Sequence, residues 1–304
     1  MKGVITIFLL PFEVEDFGVT MANLKRNSVY LNDDNVEIKL DVCMCTSDEM
    51  TDWQKSSLTK EYIEVRTTEI FNMYSDWAKY KSLRFEHHDY TIGCLSHRRH
   101  SYEQNPDADF FIWLDTDIVF KDTTLRCMID AYKQLHTTGH EEFVVTPQIV
   151  RQWDTTWDVL VHKSFKDKEL NYQKNADIYK DVLSMNDDIN ILELPTFKFA
   201  GGWFTLISKK LIDRIGIPKS FGHYGPDDTF IMFCAIHMNN IGMTVKQFVL
   251  ENLIIGEKYK YTVNKSIKKY IESINRKDEF RKTADENFGI EVKKFITHNK
   301  NKEN

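Results

Sequence analysis

The chain predicts an α/β fold in which a mainly parallel central sheet is flanked by helices and followed by a helical tail. Three observations carry this expectation. Strand and helix signals alternate through the first half, the pattern of a parallel sheet covered by crossover helices. Phe110-Phe111-Ile112-Trp113-Leu114 is an unbroken apolar run of strand length, as a fully buried strand requires. A chain of 304 residues with 42% hydrophobic and 13% aromatic residues can build a packed core.

Val4–Leu10 reads as the first strand. It is too short to span a bilayer, and Pro11, Glu13, Glu15 and Asp16 follow it, so it is neither a transmembrane segment nor a signal peptide. Val19–Ser28 predicts a helix, and the turn Asn32-Asp33-Asp34-Asn35 leads into a second strand, Val36–Met44. Thr51–His88 is mixed, charged and aromatic, and its pattern assigns no element. Leu95–Gln104 reads as a helix ending before Asn105-Pro106. Then come the central strand Phe110–Leu114, a helix over Leu125–Leu135 and a short strand Phe143–Thr146 closed by Pro147.

Residues 151–194 scatter Trp153, Trp157, Tyr172 and Tyr179 among charges with no clean period. Phe197–Ile207 encloses Ala200-Gly201-Gly202-Trp203-Phe204. A helix over Lys209–Ile215, a loop Gly216–Asp227, a helix Asp228–His237 and a strand Thr244–Ile255 complete the body. In the Lys- and Asn-rich tail, Ile267, Tyr270, Ile271 and Ile274 recur at helical spacing and predict an amphipathic helix. No internal repeat is present.

The chemistry concentrates where the buried run ends, at Asp115-Thr116-Asp117. Ligands of open α/β sheets gather at the carboxyl ends of strands. Two carboxylates one residue apart repel unless something positive lies between them, and a divalent cation on phosphate suits that need. The bland alternative is a solvated turn, although charges left without partners at the exit of a buried strand cost several kcal/mol. Asp107-Ala108-Asp109 has the same spacing but precedes the strand and marks a turn.

Other groups carry two readings each. Asp227-Asp228 either caps a helix, where carboxylates are stabilised by the dipole, or does chemistry. Trp203, after two glycines, is either core or a face for a sugar ring. Arg98 and Arg99 either decorate a helix or offset diphosphate charge with planar, multi-donor groups.

Taken together, Leu95–Phe120 and Ala200–Phe233 resemble the GT-A-type glycosyltransferases, the nucleotide-sugar-dependent superfamily with a DxD motif. The resemblance implies a GT-A-like fold over residues 1–257, with a nucleotide-binding half (1–120) and an acceptor half (121–257), before a basic helical tail (258–304). It implies Mn²⁺ or Mg²⁺ held by Asp115 and Asp117, and a helix-borne arginine, Arg99 ahead of Arg98, near the diphosphate. The loops after the first two strands, Leu9-Leu10-Pro11-Phe12 and Thr46-Ser47-Asp48, would hold base and ribose, so Asp48 becomes a nucleotide contact. Gly201, Gly202 and Trp203 would border the acceptor, with His223 on the same side. Of Asp227 and Asp228, the second would be the catalytic base of an inverting reaction. The implied donor is a UDP- or GDP-sugar, and the acceptor a hydroxyl on a glycan, a lipid-linked glycan or a protein. One departure stands out: many members carry a third metal ligand, often a histidine, on the strand after the acidic helix. Thr244–Ile255 has no histidine there and offers Glu251 and Asn252.

Two rivals remain. Asp115-Thr116-Asp117-Ile118-Val119 also resembles the opening motif of haloacid-dehalogenase-like Mg²⁺-dependent phosphatases, although about a hundred structured residues precede it here. A non-catalytic nucleotide- or sugar-binding protein is the other.

Charge narrows the partners. Of a net charge of -6, residues 257–304 carry 13 Lys/Arg against 8 Asp/Glu, and the preceding 256 carry 27 against 38. The body has no basic footprint for nucleic acid. The basic tail, with Lys265, Lys268 and Lys269 beside the apolar stripe, either packs on the body or makes a peripheral membrane contact. Five cysteines, an odd number without zinc spacing, fit a reducing, cytoplasmic setting, with Cys43 and Cys45 as core thiols.

Overall fold

A computed structural model describes residues 1–31, 35–48, 59–89, 92–150, 159–165, 182, 189–198, 201–223, 225–257 and 277–300. In chain order the elements are β1 (Lys2–Leu9), α1 (Val14–Ser28), β2 (Glu37–Ser47), α2 (Lys60–Tyr74), β3 (Tyr80–His88), α3 (Leu95–Gln104), β4 (Phe110–Leu114) and β5 (Ile118–Val119). They continue with α4 (Thr124–Thr137), β6 (Phe143–Ile149), β7 (Asn190–Leu194), β8 (Phe204–Ser208), α5 (Lys209–Ile215), α6 (Asp227–Asn240), β9 (Lys246–Glu257) and α7 (Lys277–Lys300).

The expected α/β architecture is present. Among the described residues nine strands form the sheet, eight in the order β3-β2-β1-β4-β8-β6-β9-β5 and β7 also on β9. The parallel ladders are β1 with β2 and β4, β2 with β3, and β6 with β9. Antiparallel ladders join β8 to β4 and β6, and β5 and β7 to β9. Every side chain of β4 is buried, as its apolar run requires. From β1 the chain builds outward to β2 and β3, then returns to place β4 on the other flank of β1. The strand order therefore reverses between β1 and β4, and a crevice opens at such a switch point, outside the strands' carboxyl ends.

Several boundaries move for identifiable reasons. α1 begins at Val14, not Val19, because Pro11–Glu13 form a 3₁₀ turn that leads straight into it. The Glu13 carboxylate accepts from Leu10 N at 2.8 Å, and Glu15 and Asp16 lie in the first turn, where the dipole favours them. Within the unassigned Thr51–His88 stretch lies α2, capped by Thr59 Oγ1 accepting from Tyr62 N, followed by β3. β6 runs through Pro147 instead of stopping there. The β6–β9 register jumps between Pro147 and Gln148, so the residue without an N–H sits at a bulge. The facing bulge in β9 holds Asn252 at φ 70°, with its N–H on Gln148 Oε1 at 3.0 Å.

α3 matches its expected span, yet its inner face is polar: His97, Arg98 and Ser101 are buried beside Leu95. None of the five cysteines is in a disulfide, and burial pushes the Cys43 and Cys45 thiols up, consistent with inert core positions. Trp153, Trp157, Tyr172, Tyr179 and the tail stripe Ile267–Ile274 lie outside the described residues. The tail's helical end is α7, which packs against α6 and the loop before it. Among the described residues no helix is long and apolar enough to cross a membrane.

Candidate active site

The turn after β4 is tied down on two sides. Asp115 N donates to the Trp203 carbonyl at 2.9 Å, and Thr20 Oγ1 of α1 donates to the Thr116 carbonyl at 2.6 Å. Asp117 is 3% exposed, so it does not sit in a solvated turn. The Asp115 side chain, 41% exposed, points to an open face. The similar Asp107 and Asp109 behave as the expected turn before β4, held by Lys2 Nζ and Lys2 N at 2.6 Å each.

One guanidinium joins three separate segments. Arg98, 7% exposed on α3, donates from Nη1 to Asp227 Oδ2 at 2.9 Å and from Nη2 to the Gly202 carbonyl at 3.1 Å. Nη2 also lies 3.4 Å from Asp115 Oδ1, and the guanidinium carbon lies 4.6 Å from the Trp113 ring centroid. Burial works against this charge, but Cys94, Asp227 and Asp115 outweigh it and hold its pKa above the ordinary value. Gly202 allows the approach: a Cβ there would lie 2.7 Å from Arg98 Nη1.

The resemblance put Arg99 ahead of Arg98 at this position. Successive helical residues point about 100° apart, and it is Arg98 that faces the carboxylates. Arg99 instead donates to the carbonyls of Pro218 at 2.9 Å and Gly222 at 3.3 Å.

Asp227 and Asp228 open α6 after Gly225-Pro226. The N-cap is Pro226 with no side-chain cap bond, and the pair occupies the first turn, where the helix dipole favours carboxylates. Asp227, 5% exposed, is neutralised by Arg98. Asp228 is half-buried, and its Oδ1 accepts from Thr229 N at 2.6 Å and Thr229 Oγ1 at 3.3 Å. Burial, then the Asp227 charge, push the Asp228 carboxyl up to about 6. With a folded pKa above that of an unfolded aspartate, the native state holds the extra proton between about pH 4 and 6. Stability should therefore fall as pH rises through that window and level off above it. Asp228→Asn is expected to remove this slope and to melt higher than the wild type at pH 7.5. Identical melting curves across pH would contradict the raised carboxyl.

The remaining expected site residues are more dispersed. Gly201 lies against the Trp203 ring, and Trp203 is half-buried, packed on the core while its carbonyl holds Asp115. His223 is half-buried beside α3, its carbonyl accepting from Leu95 N at 3.0 Å and its ring 6.0 Å from that of His88. Asp48 is exposed at the end of β2, with Oδ1 3.0 Å from His87 Nε2. Of the third-ligand candidates, Glu251 accepts from Asn190 Nδ2 at 3.4 Å, and Asn252 Oδ1 lies 3.2 Å from His162 Nε2.

Among the described residues no three His, Cys, Asp or Glu side chains form a metal cage. A hard cation shared with phosphate needs only one or two carboxylates, its other ligands being water and phosphate oxygens. The donor set of Asp115 and Asp117 fits that kind of ion and not a dedicated all-protein site.

A buried polar network beneath the site escaped the sequence reading. His97 Nδ1 accepts from Arg84 Nη2 at 2.9 Å, leaving Nε2–H to donate to the Asp41 carbonyl at 3.2 Å. Burial pushes His97 down to about 4, so the ring is neutral. The buried Asp41 carboxylate accepts from Ser82 Oγ at 2.7 Å. The one signal available was a charge in the middle of an apolar strand.

No protein-family model and no curated protein sequence matches the chain. Among solved structures it is similar to TarS 1-349 of S. aureus, at 12% identity and a TM-score of 0.47 over 85% of this chain and 60% of that one. It is similar to GalNAc-T7 with UDP, GalNAc and Mn²⁺, at 11% identity and a TM-score of 0.47 over 85% of this chain and 44% of that one. It is also similar to a UTP-bound UGPase from Acinetobacter baumannii, at 10% identity and a TM-score of 0.39 over 92% and 96%. The chain thus spans under two thirds of the first two proteins. Overlaps this loose carry no functional argument.

Proposed function

We propose that the protein is a glycosyltransferase that moves a sugar from a nucleoside-diphosphate sugar to a hydroxyl acceptor. The observation that carries this reading is the buried Arg98. It links the strand-end Asp115 to the acidic start of α6 beside the reversal of strand order between β1 and β4. Residues 1–120 would hold the nucleotide, with Asp48 at its base or ribose. Residues 121–257 would hold the acceptor, bordered by Gly201, Gly202, Trp203 and His223.

Asp115 and Asp117 would hold Mn²⁺ or Mg²⁺ with the diphosphate oxygens. Such an ion, when bound, neutralises charge on the departing diphosphate. Arg98 fixes Asp115 and Asp227 and adds positive charge beneath the same face. Asp228, less acidic than an ordinary aspartate, takes the acceptor hydroxyl's proton. The acceptor oxygen then forms its bond to the anomeric carbon as the bond to the phosphate oxygen breaks. The electron pair leaves with the nucleoside diphosphate. One displacement from the opposite face inverts the anomeric centre.

Two measurements on one reaction test this. NMR of the first-formed product from an α-linked donor should show a β-glycoside, and an α-glycoside would rule out the direct displacement. The rate should climb with pH up to about 6 and then level, as Asp228 loses its proton. A rate without an acid limb would remove Asp228 from the role of base. No observation favours the phosphatase reading.

A further inference from the structure

We propose that α7 is a clamp that positions the Asp227-Asp228 turn for proton abstraction, acting through the loop before α6. This inference rests on the reading of Asp228 as the base. The loop is gripped from two sides. From below, α3 holds three of its carbonyls, with Arg99 on Pro218 and Gly222 and Leu95 N on His223. From above, Asn287 Nδ2 of α7 donates to the Ser220 carbonyl at 3.1 Å, and Ser220 Oγ donates to Glu291 Oε1 at 2.9 Å. The Phe288 ring lies parallel to that of Phe221, centroids 6.3 Å apart, and edge-on to Phe230 within α6.

The tightest point is Gly225, two residues before Asp227. A Cβ there would lie 2.9 Å from Ala284 Cβ and 3.1 Å from Phe221 Cβ, and Ala284 is fully buried. Unbonded carbons settle at about 3.5–4.0 Å, so a side chain at Gly225 displaces the loop or α7 by roughly 1 Å. Misplacement of that size near reacting groups costs up to about 100-fold in rate. A bond from Asn287 to a main-chain carbonyl and a packed Ala284 restrain the backbone that delivers Asp227 and Asp228. Neither touches the substrate side, so these are positioning residues.

The test uses the full chain with Gly225→Ala, Ala284→Gly and the double variant. Backbone hydrogen exchange over residues 219–229 is measured together with kcat and donor KM. The expected result for Gly225→Ala is faster exchange confined to that stretch, with kcat down about 10- to 100-fold and donor KM little changed. Adding Ala284→Gly removes the atom that Gly225→Ala meets first, and should restore slow exchange and most of kcat. Unchanged exchange in Gly225→Ala, or faster exchange with full kcat, would overturn the clamp. So would exchange rising across the whole protein, or a double variant no better than the single. If the wild type turned over no nucleotide sugar, the glycosyltransferase reading would fall. Exchange over 219–229 would then still decide whether Ala284 holds the loop.

Discussion

Asp117→Ala is expected to cut sugar transfer by roughly 100- to 1,000-fold, the scale of losing one group that stabilises transition-state charge. The fold should survive. Asp117 is nearly inaccessible, and alanine in its place adds neither bulk nor charge to the turn. The melting temperature should change far less than the rate. Chelation with EDTA should reproduce the loss in the wild type, and added Mn²⁺ should restore the wild type but not the variant. Full transfer by Asp117→Ala would remove Asp117 from the metal's ligands, and indifference to EDTA would contradict a metal at either carboxylate.

Arg98→Ala is expected to act in the opposite way, on stability first. It would leave the Asp227 carboxylate buried with its counter-charge gone, along with the Gly202 carbonyl and the Trp113 face. Breaking a buried pair by removing one partner costs about 3–5 kcal/mol. At about 2–4 °C per kcal/mol for larger domains, melting should drop by about 6–20 °C. Arg98→Lys should recover little, because a single ammonium cannot replace a planar fork spanning Asp227, Asp115 and a carbonyl. Pairing Arg98→Met with Asp227→Asn should recover part of the stability, since no uncompensated charge remains. A melting temperature within 1–2 °C of the wild type for Arg98→Ala would mean that the guanidinium is not the internal counter-ion described here.

What could be read from the sequence followed the range of the physics involved. The run Phe110–Leu114 is apolar at five consecutive positions, a signal needing no partner to interpret, and β4 appears where expected. The close approach of Arg98 to Gly202 carries no such local signal, because it depends on a residue about a hundred positions earlier. The choice between Arg98 and Arg99 could not be made by spacing. Neighbours on a helix differ only in which way they face, and that depends on where α3 sits on the sheet.

The same limit hid more distant pairings. α3 buries His97, Arg98 and Ser101, so hydrophobic periodicity said little about its inner face. Pro147 looked like a stop because a strand needs its N–H groups, and the β9 bulge that relieves the need lies about a hundred residues on. The α7 contact with the loop before α6 joins residues about sixty positions apart through one missing Cβ. Gly225 looks like an ordinary turn glycine until Ala284 is beside it.

The most direct test of the central claim is a thermal-shift series with UDP, GDP, CMP and dTDP, each with and without Mn²⁺, on the wild type and Asp117→Ala. A nucleoside diphosphate should raise the melting temperature of the wild type only when Mn²⁺ is present. The same nucleotide should do much less for Asp117→Ala. No shift with any nucleotide, or an equal shift in Asp117→Ala and in metal-free buffer, would contradict that claim.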